Sequence, residues 1–170
     1  MAHQPMNVND FVEQAGGNGP CIAFLTPPAT PVVPPDGVEL RTVDGARIPT
    51  LKALFDVFAA AWHFPAWFGR NPAAFDDFMC DLDNMIDVAL GKPPARGYLT
   101  EVTNAHLLFV DQPDVLPWFS RHVVIYRDYY RDQASPTAAF GLLLTAPDAN
   151  LDEVRAQWAA AGAVAVTDIV

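Results

Sequence analysis

The chain has 170 residues, of which 51% are hydrophobic and 18% charged, and its formal net charge is -10. The apolar share is enough for a buried core and excludes a disordered chain. With 20 acidic against 10 basic residues, contact with a phosphate backbone is unfavourable, so no direct nucleic-acid partner is expected. A clustered acidic surface would instead attract a basic protein.

Cysteine usage and terminal composition narrow the cellular setting. The two cysteines, Cys21 and Cys80, form neither a disulfide framework nor a zinc-ligand pattern, so reduced thiols are expected. The first five residues, MAHQP, lack the basic and apolar regions of a signal peptide. No segment approaches the roughly 18 apolar residues of a membrane span. We therefore expect a cytoplasmic protein without a membrane partner.

The first 37 residues are predicted to form an N-terminal extension. A short helix is expected from Asn9 to Gln14, capped by Asn9, followed by a buried strand at Cys21–Leu25. Residues 26–37 contain five prolines in twelve positions, which predicts an extended connector. The main domain, residues 38–170, is expected to begin at its end.

The main domain is predicted to alternate strands with helices. Strands are expected at Val38–Val43, Leu107–Val110, Ala139–Thr145 and Ala163–Ile169, with Tyr98–Ala105 leading into the second. Helices are expected at Leu51–Trp62 after a Thr50 cap, at Pro72–Leu90, at Asp114–Arg131, and from an Asn150 cap through Ala161 to Gly162 as left-handed terminator. This alternation predicts an α/β fold with a small, mainly parallel sheet of three to five strands flanked by helices.

An aromatic loop, FPAWFGRN at residues 64–71, precedes the helix predicted at Pro72–Leu90. Asn71 stands at the N-cap position and Pro72 at the first helical position. Large aromatic side chains beside a charged patch are typical interface anchors, so Trp67 is predicted to be exposed. Phe68 is predicted to lie in the core, and burial of both rings is the alternative.

The same helix carries five aspartates off its predicted core face. Asp77 and Asp81 are four residues apart and share one side, whereas Asp76, Asp83 and Asp87 share another. No basic residue lies within helical reach, and aspartate is a mediocre helix former. These observations favour a partner-binding face, and the alternative is a solvated helix face.

The sequence offers little catalytic machinery. Ser120 and Ser135 do not lie in a nucleophile elbow, and no phosphate-binding glycine loop is present. The four histidines, His3, His63, His106 and His122, lack metal-ligand spacing. We expect no catalytic residues, metal or cofactor. A deep pocket lined by His106 or His122 together with carboxylates would favour an enzyme instead.

From Asp44 to Asp81 the chain resembles the barstar family. The family pattern is an aromatic or leucine, proline, one residue, two aromatics, glycine, one residue and asparagine, with an aspartate six residues later. It is matched by Phe64, Pro65, Trp67, Phe68, Gly69, Asn71 and Asp77. The resemblance implies a small parallel sheet with flanking helices and inhibition of a secreted-type ribonuclease inside the producing cell, as an antitoxin or immunity protein. In the family, the acidic helix and the preceding loop occlude the nuclease active site.

The resemblance also implies roles for individual residues. The partner-binding set comprises Trp67, Gly69, Asn71, Asp76, Asp77, Asp81 and Asp83. Asp77 corresponds to the family's main hot-spot aspartate and would mimic an RNA phosphate. Trp67 replaces a loop tyrosine that stacks on the catalytic histidine of the nuclease. Asp76, Asp81 and Asp83 would be supporting charges.

The chain departs from the family pattern at several positions. Ala73 replaces a second interface aspartate, Asp76 stands where the family has a tryptophan, and Arg70 adds a positive charge to the loop. Gln157 stands where a late helix has a glutamate, and Gly162 with the last strand resembles the family's final helix–strand unit. The strands at Cys21–Leu25 and Ala139–Thr145 have no counterpart and would widen the sheet. A barstar-like module that binds a basic partner other than a nuclease is therefore the alternative function.

Overall fold

The computed structural model describes residues 6–25 and 31–169. The first five residues, on which the signal-peptide expectation rests, and residues 26–30 of the predicted connector lie outside the described part. Residues 31–35 of the connector have no regular secondary structure, and residues 36–37 form a turn. The described part of the connector therefore contains no helix or strand, and its extended conformation stays a prediction.

Within the described residues, one sheet of five parallel strands forms the centre of the fold. The strands are β1 (Ile22–Leu25), β2 (Val38–Asp44), β3 (Gly97–Thr103), β4 (Ala139–Thr145) and β5 (Val166–Ile169). They lie in the order β2-β3-β4-β1-β5, and every neighbouring pair is parallel. This confirms the predicted α/β class and the upper end of the predicted strand number.

Five α-helices are described around this sheet. They are α1 (Val8–Ala15), α2 (Leu51–Trp62), α3 (Pro72–Met79), α4 (Val115–Asp132) and α5 (Asp148–Ala160). The predicted bounds of α2 are confirmed, and the Thr50 side chain accepts from the Ala53 backbone N–H at 3.2 Å. In the described residues, no helix is both long and apolar enough to span a bilayer.

Two predicted helix caps are wrong. Asn7, not Asn9, caps α1, because Asp10 stands three residues after Asn7 and the two side chains close a reciprocal capping box. Helix α5 begins earlier than predicted, after Pro147, and Asp148 supplies a favourable negative charge in its first turn. Beyond α5, Gly162 has the predicted left-handed backbone, with φ of 88°.

The strand predicted at Leu107–Val110 is also wrong. The preceding segment, Gly97–Thr103, forms β3 and pairs with β2 on one side and β4 on the other. Residues 105–107 form a 3-10 turn, and the chain then folds back so that the Phe109 backbone N–H donates to Ile48 O at 2.8 Å. An apolar run fits a buried loop as well as a strand, and only pairing partners decide between them.

The N-terminal segment contributes a central strand. β1 lies between β4 and β5, with Ile22 in register with Leu142 on one side and with Val166 on the other. Helix α1 packs so closely that a Cβ added at Gly141 would lie 2.8 Å from Cε1 of Phe11. The boundary at residue 37 stays a prediction, and both sides of it contribute strands to the same sheet.

Because three tyrosines are buried, we expect the free energy of unfolding to fall at alkaline pH. Burial raises the pKa of Tyr98, Tyr126 and Tyr130 above the ordinary value of 10.0, and hydrogen bonds to Asp87 and Asp76 raise the pKa of the first two further. A group whose folded-state pKa is raised stabilises the fold below its unfolded pKa, and this contribution is lost as the pH rises. Above about pH 10, each tyrosine should lower the free energy of unfolding by about 1.4 kcal/mol per pH unit.

Denaturant titrations at a series of alkaline pH values test this expectation. The unfolding midpoint should fall steeply above about pH 10, and tyrosinate absorbance should increase together with unfolding. Stability that stays constant while tyrosinate appears in the folded protein would contradict it.

Candidate functional site

The aromatic loop, residues 64–71, places one large ring in solvent. Phe64 and Phe68 are buried with their ring centroids 5.2 Å apart, whereas Trp67 is 77% exposed. The Trp67 ring contacts Phe78 of α3 edge-on, with the centroids 5.3 Å apart. Because Phe78 already restricts the Trp67 ring on one side, the ring loses little conformational freedom when a partner covers its other side. This property suits an interface anchor.

Gly69 and Asn71 set the shape of this loop. Asn71 Oδ1 accepts from the Ala74 backbone N–H at 2.9 Å and thereby caps α3. Asn71 Nδ2 donates to Gly69 O at 3.3 Å, and a Cβ at Gly69 would lie 3.1 Å from that same nitrogen. Both residues are therefore tied into the junction of loop and helix, which fixes where Trp67 lies relative to α3.

The positive charge of Arg70 in the loop is partnered. Arg70 has a left-handed backbone, with φ of 49°, and its Nη1 lies 3.0 Å from Oδ1 of Asp56 on α2. The pair is exposed and adds little stability. It does balance the one basic side chain of the loop beside the acidic residues of α3.

The acidic face consists of Asp76, Asp77, Asp81 and Asp83, on α3 and the turn after it. Asp77 is exposed, and within the described residues it has neither an ion pair nor a side-chain hydrogen bond. Asp81 is half-buried and accepts from Asn84 Nδ2 at 2.5 Å. Burial raises the pKa of Asp83, and the charges of Asp81 and Asp87 add to this shift. Asp77 is therefore the most accessible charge of the face.

Asp76 has partners that the sequence pattern did not indicate. Its Oδ1 lies 2.8 Å from Nδ1 of His122 and accepts a hydrogen bond from the Tyr126 hydroxyl, both on α4. His122 stacks in turn on Trp118, with the ring centroids 4.6 Å apart. No basic residue lies within helical reach on α3 itself, as the sequence indicates, but Asp76 has a histidine and a tyrosine from another helix as partners. Asp76 joins α3 to α4.

Asp87 is not part of an exposed face. It is 1% exposed, and its Oδ2 accepts from the Tyr98 hydroxyl at 2.7 Å and from the Ala95 backbone N–H at 3.0 Å. The helix predicted at Pro72–Leu90 is not continuous. α3 ends at Met79, residues 83–87 form a π turn, and residues 88–90 form a 3-10 turn.

The π turn explains why the helical spacing misplaced Asp87. Because a π turn is wider than an α turn, the residues that follow it rotate away from the face that a period of 3.6 residues predicts. Four apolar residues of this segment are buried, namely Phe75, Met79, Leu82 and Ile86, and two, Phe78 and Met85, pack against the core while half-buried.

The two thiols are poor nucleophiles. Burial raises the pKa of Cys21 to about 11 and that of Cys80 to about 12, and the charges of Asp76 and Asp77 contribute to the shift at Cys80. Both cysteines are free. Among the described residues, no group of three or more histidine, cysteine or acidic side chains is placed to hold a metal ion.

Sequence reasoning missed the α4 side of this region. Trp118, His122 and Tyr126 lie more than 40 residues from Asp76 in the chain, and no local spacing connects them. Gln157, half-buried on α5, donates from Nε2 to Glu153 at 3.3 Å. Its hydrogen-bond partner Glu153 lies on the same helix, and neither residue belongs to the aromatic loop or to the acidic face.

Comparison with known families gives one match. The model described as Barstar (barnase inhibitor) matches residues 38–140, about three fifths of the chain. The match spans β2 through α4 and takes in the first two residues of β4, a strand for which the sequence predicts no counterpart in the family. It does not reach α5, so the equivalence of Gln157 stays a prediction. Among curated proteins, none matches the chain.

Proposed function

The chain belongs to the barstar family, and from this premise we propose that it inhibits a basic, secreted-type ribonuclease by covering the nuclease active site. The family description names an inhibitor rather than an enzyme. The observation that carries the proposal is that an exposed Trp67, which Phe78 supports, lies next to a helix bearing an exposed Asp77 without a partner among the described residues. A nuclease site built for RNA offers basic side chains and a surface on which a base stacks.

Each element of the surface has a role in this mechanism. The Asp77 carboxylate takes the position of an RNA phosphate against the arginine, lysine and histidine side chains of the nuclease. Trp67 covers the catalytic histidine, and Asp81 and Asp83 contribute longer-range attraction. The net charge of -10 steers a basic partner toward the protein and raises the rate of encounter. The proposed mechanism requires no metal ion or cofactor bound to the inhibitor.

Asp76 has a different role in the proposal. Its carboxylate is engaged by His122 and Tyr126, so it contributes to the position of α3 more than to direct contact. Gly69 and Asn71 likewise act by holding Trp67 in place. We place the protein in the cytoplasm, where an antitoxin or immunity protein meets its nuclease before the nuclease is secreted.

A module that binds a basic protein other than a nuclease is the second candidate. Two observations favour it: Ala73 lacks a charge that the family pattern has, and Asp76 is occupied within the fold. The surface therefore lacks one carboxylate of the family pattern, and Asp76, which stands where the family has a tryptophan, does not replace it.

Inhibition of RNA cleavage separates the two candidates. The purified chain is titrated against barnase and a panel of other small, basic, secreted ribonucleases, with RNA cleavage as the readout. Inhibition of at least one nuclease that is complete at one inhibitor per enzyme supports the proposal. Binding to basic proteins, nucleases included, without loss of cleavage would overturn active-site occlusion and favour the second candidate.

A further inference from the structure

An apolar groove lies on a part of the molecule that the proposed function does not use. It runs between residues 105–117 and helix α5 and has a volume of about 380 Å³. One wall belongs to the segment that matches the family, and the other to α5, which lies beyond residue 140. None of the residues of the aromatic loop or the acidic face lines it. The groove is therefore formed jointly by the family-matched segment and by the chain at and just after α5.

The groove has apolar walls, and its volume suits a small molecule. Leu108, Leu116 and Ala160 contribute side chains to them, and Val110 at the opening is 58% exposed. Sites for small molecules usually enclose about 300–1,000 Å³ and combine apolar walls with a few polar groups. The lining includes helix faces and two prolines but no strand edge, so an extended peptide would find no ladder of backbone partners.

One wall of the groove is a turn with strained backbone, which two hydrogen bonds hold in place. Phe109 has φ of 57° although it is a bulky residue, and its side chain is 1% exposed. Its backbone N–H donates to Ile48 O at 2.8 Å, and the N–H of Asp111 donates to Pro49 O at 3.1 Å. Such conformations persist where surrounding contacts impose them, and they cluster at ligand sites. Here the turn leaves Leu108 and Val110 on the groove.

The polar groups of the groove indicate the charge of an occupant. His106 lines the groove, but its Nδ1 is buried and has no hydrogen-bond partner among the described residues, so this atom is not open to an occupant. Glu153 is exposed and accepts only long hydrogen bonds, 3.3 Å from Gln157 and 3.4 Å from Asn150, so its carboxylate can receive another donor. Asp111 and Asp114, exposed beside lining residues, add negative potential. A positively charged donor complements this set.

We propose that the groove binds a small apolar organic cation, a hydrophobic ring that carries one protonated amine. The ring occupies the space between Leu108, Leu116 and Ala160, and the ammonium group donates to Glu153. The described lining has a histidine and a carboxylate but no serine, cysteine or lysine, so the groove is assigned binding and no covalent chemistry.

Titration with three matched probes tests the proposal. The probes are 2-phenylethylamine, neutral 2-phenylethanol and anionic 3-phenylpropionate, and binding is followed through the backbone amide shifts of the full chain. The amine should give saturable shifts at residues 105–117 and 153–161, with a dissociation constant of about 1 mM for so small a ligand. The alcohol should bind about two- to fivefold more weakly, as expected for an exposed charge contact, and the anion more weakly still.

Two variants on one helix provide the control. Ala160→Phe places a ring in the groove and should abolish the saturable shifts, whereas Ala159→Phe, at an exposed neighbour outside the lining, should leave them unchanged. Glu153→Gln should reduce the difference in affinity between amine and alcohol. Equal binding by the Ala160→Phe and Ala159→Phe variants, or amine shifts confined to the acidic face, would overturn the proposal. This experiment does not measure nuclease inhibition. A failure of the groove proposal would therefore leave the proposed function unaffected, and the reverse also holds.

Discussion

Replacing Asp77 with alanine is expected to weaken binding to the inhibited ribonuclease about 100-fold or more, equal to about 3 kcal/mol. The reason is the penalty on the nuclease side. Without this carboxylate, basic groups of the nuclease are buried at the interface without a counter-charge, and such truncations at the centre of an interface are the costly ones. Dissociation constants measured at one fixed salt concentration test the expectation.

The control for Asp77→Ala is a charge change elsewhere on the surface. Glu13 on α1 is also an exposed helical acid, so Glu13→Ala alters the net charge equally and should change affinity by less than about threefold. The folded state should hardly be affected at Asp77, since this side chain has no partner in the described structure. Equal, small losses for both variants would show that general attraction, and not a phosphate-mimicking contact, binds the partner.

Replacing Asp87 with alanine is expected to cost about 3 kcal/mol of the free energy of unfolding. The change leaves the Tyr98 hydroxyl and the Ala95 backbone N–H without their carboxylate acceptor in a buried place, where each stranded donor costs about 1–3 kcal/mol. Partial compensation comes from the Tyr98 oxygen itself, which accepts from Ala95 N at 3.2 Å. Urea denaturation of the variant and the parent protein gives the difference.

Two companion variants show whether the buried network is the cause. Tyr98→Phe removes one donor, so the double variant with Asp87→Ala should lose less than the sum of the single losses, as expected for groups in contact. Asp111→Ala, at an exposed acid, should change stability by less than about 0.5 kcal/mol. Strictly additive losses at Asp87 and Tyr98 would contradict a shared network.

The acidic helix shows how far local patterns carry. The cap at Asn71, the proline after it and the apolar spacing of Phe75 and Met79 are local signals, and the start and buried side of α3 follow from them. The end of the helix does not, because the π turn at residues 83–87 lets Asp87 reach Tyr98, a residue on a strand. The helical spacing of the aspartates therefore predicts their positions correctly within α3, but not after the π turn.

The alternating pattern of the chain determined by itself the α/β class, the upper limit of five strands, the bounds of α2 and β4, and the aromatic loop with its family pattern. These depend on caps, turn residues and apolar periodicity, which act between residues close in the chain. Only the tertiary structure decided that β1 lies inside the sheet and that residues 107–110 form a turn. It also decided that Asp76 and Asp87 are engaged, whereas Asp77 has no partner in the described part of the chain. The physical reason is that strand order and the pairing of buried charges depend on contacts between residues 40 or more positions apart, or on a single turn whose width the spacing does not record.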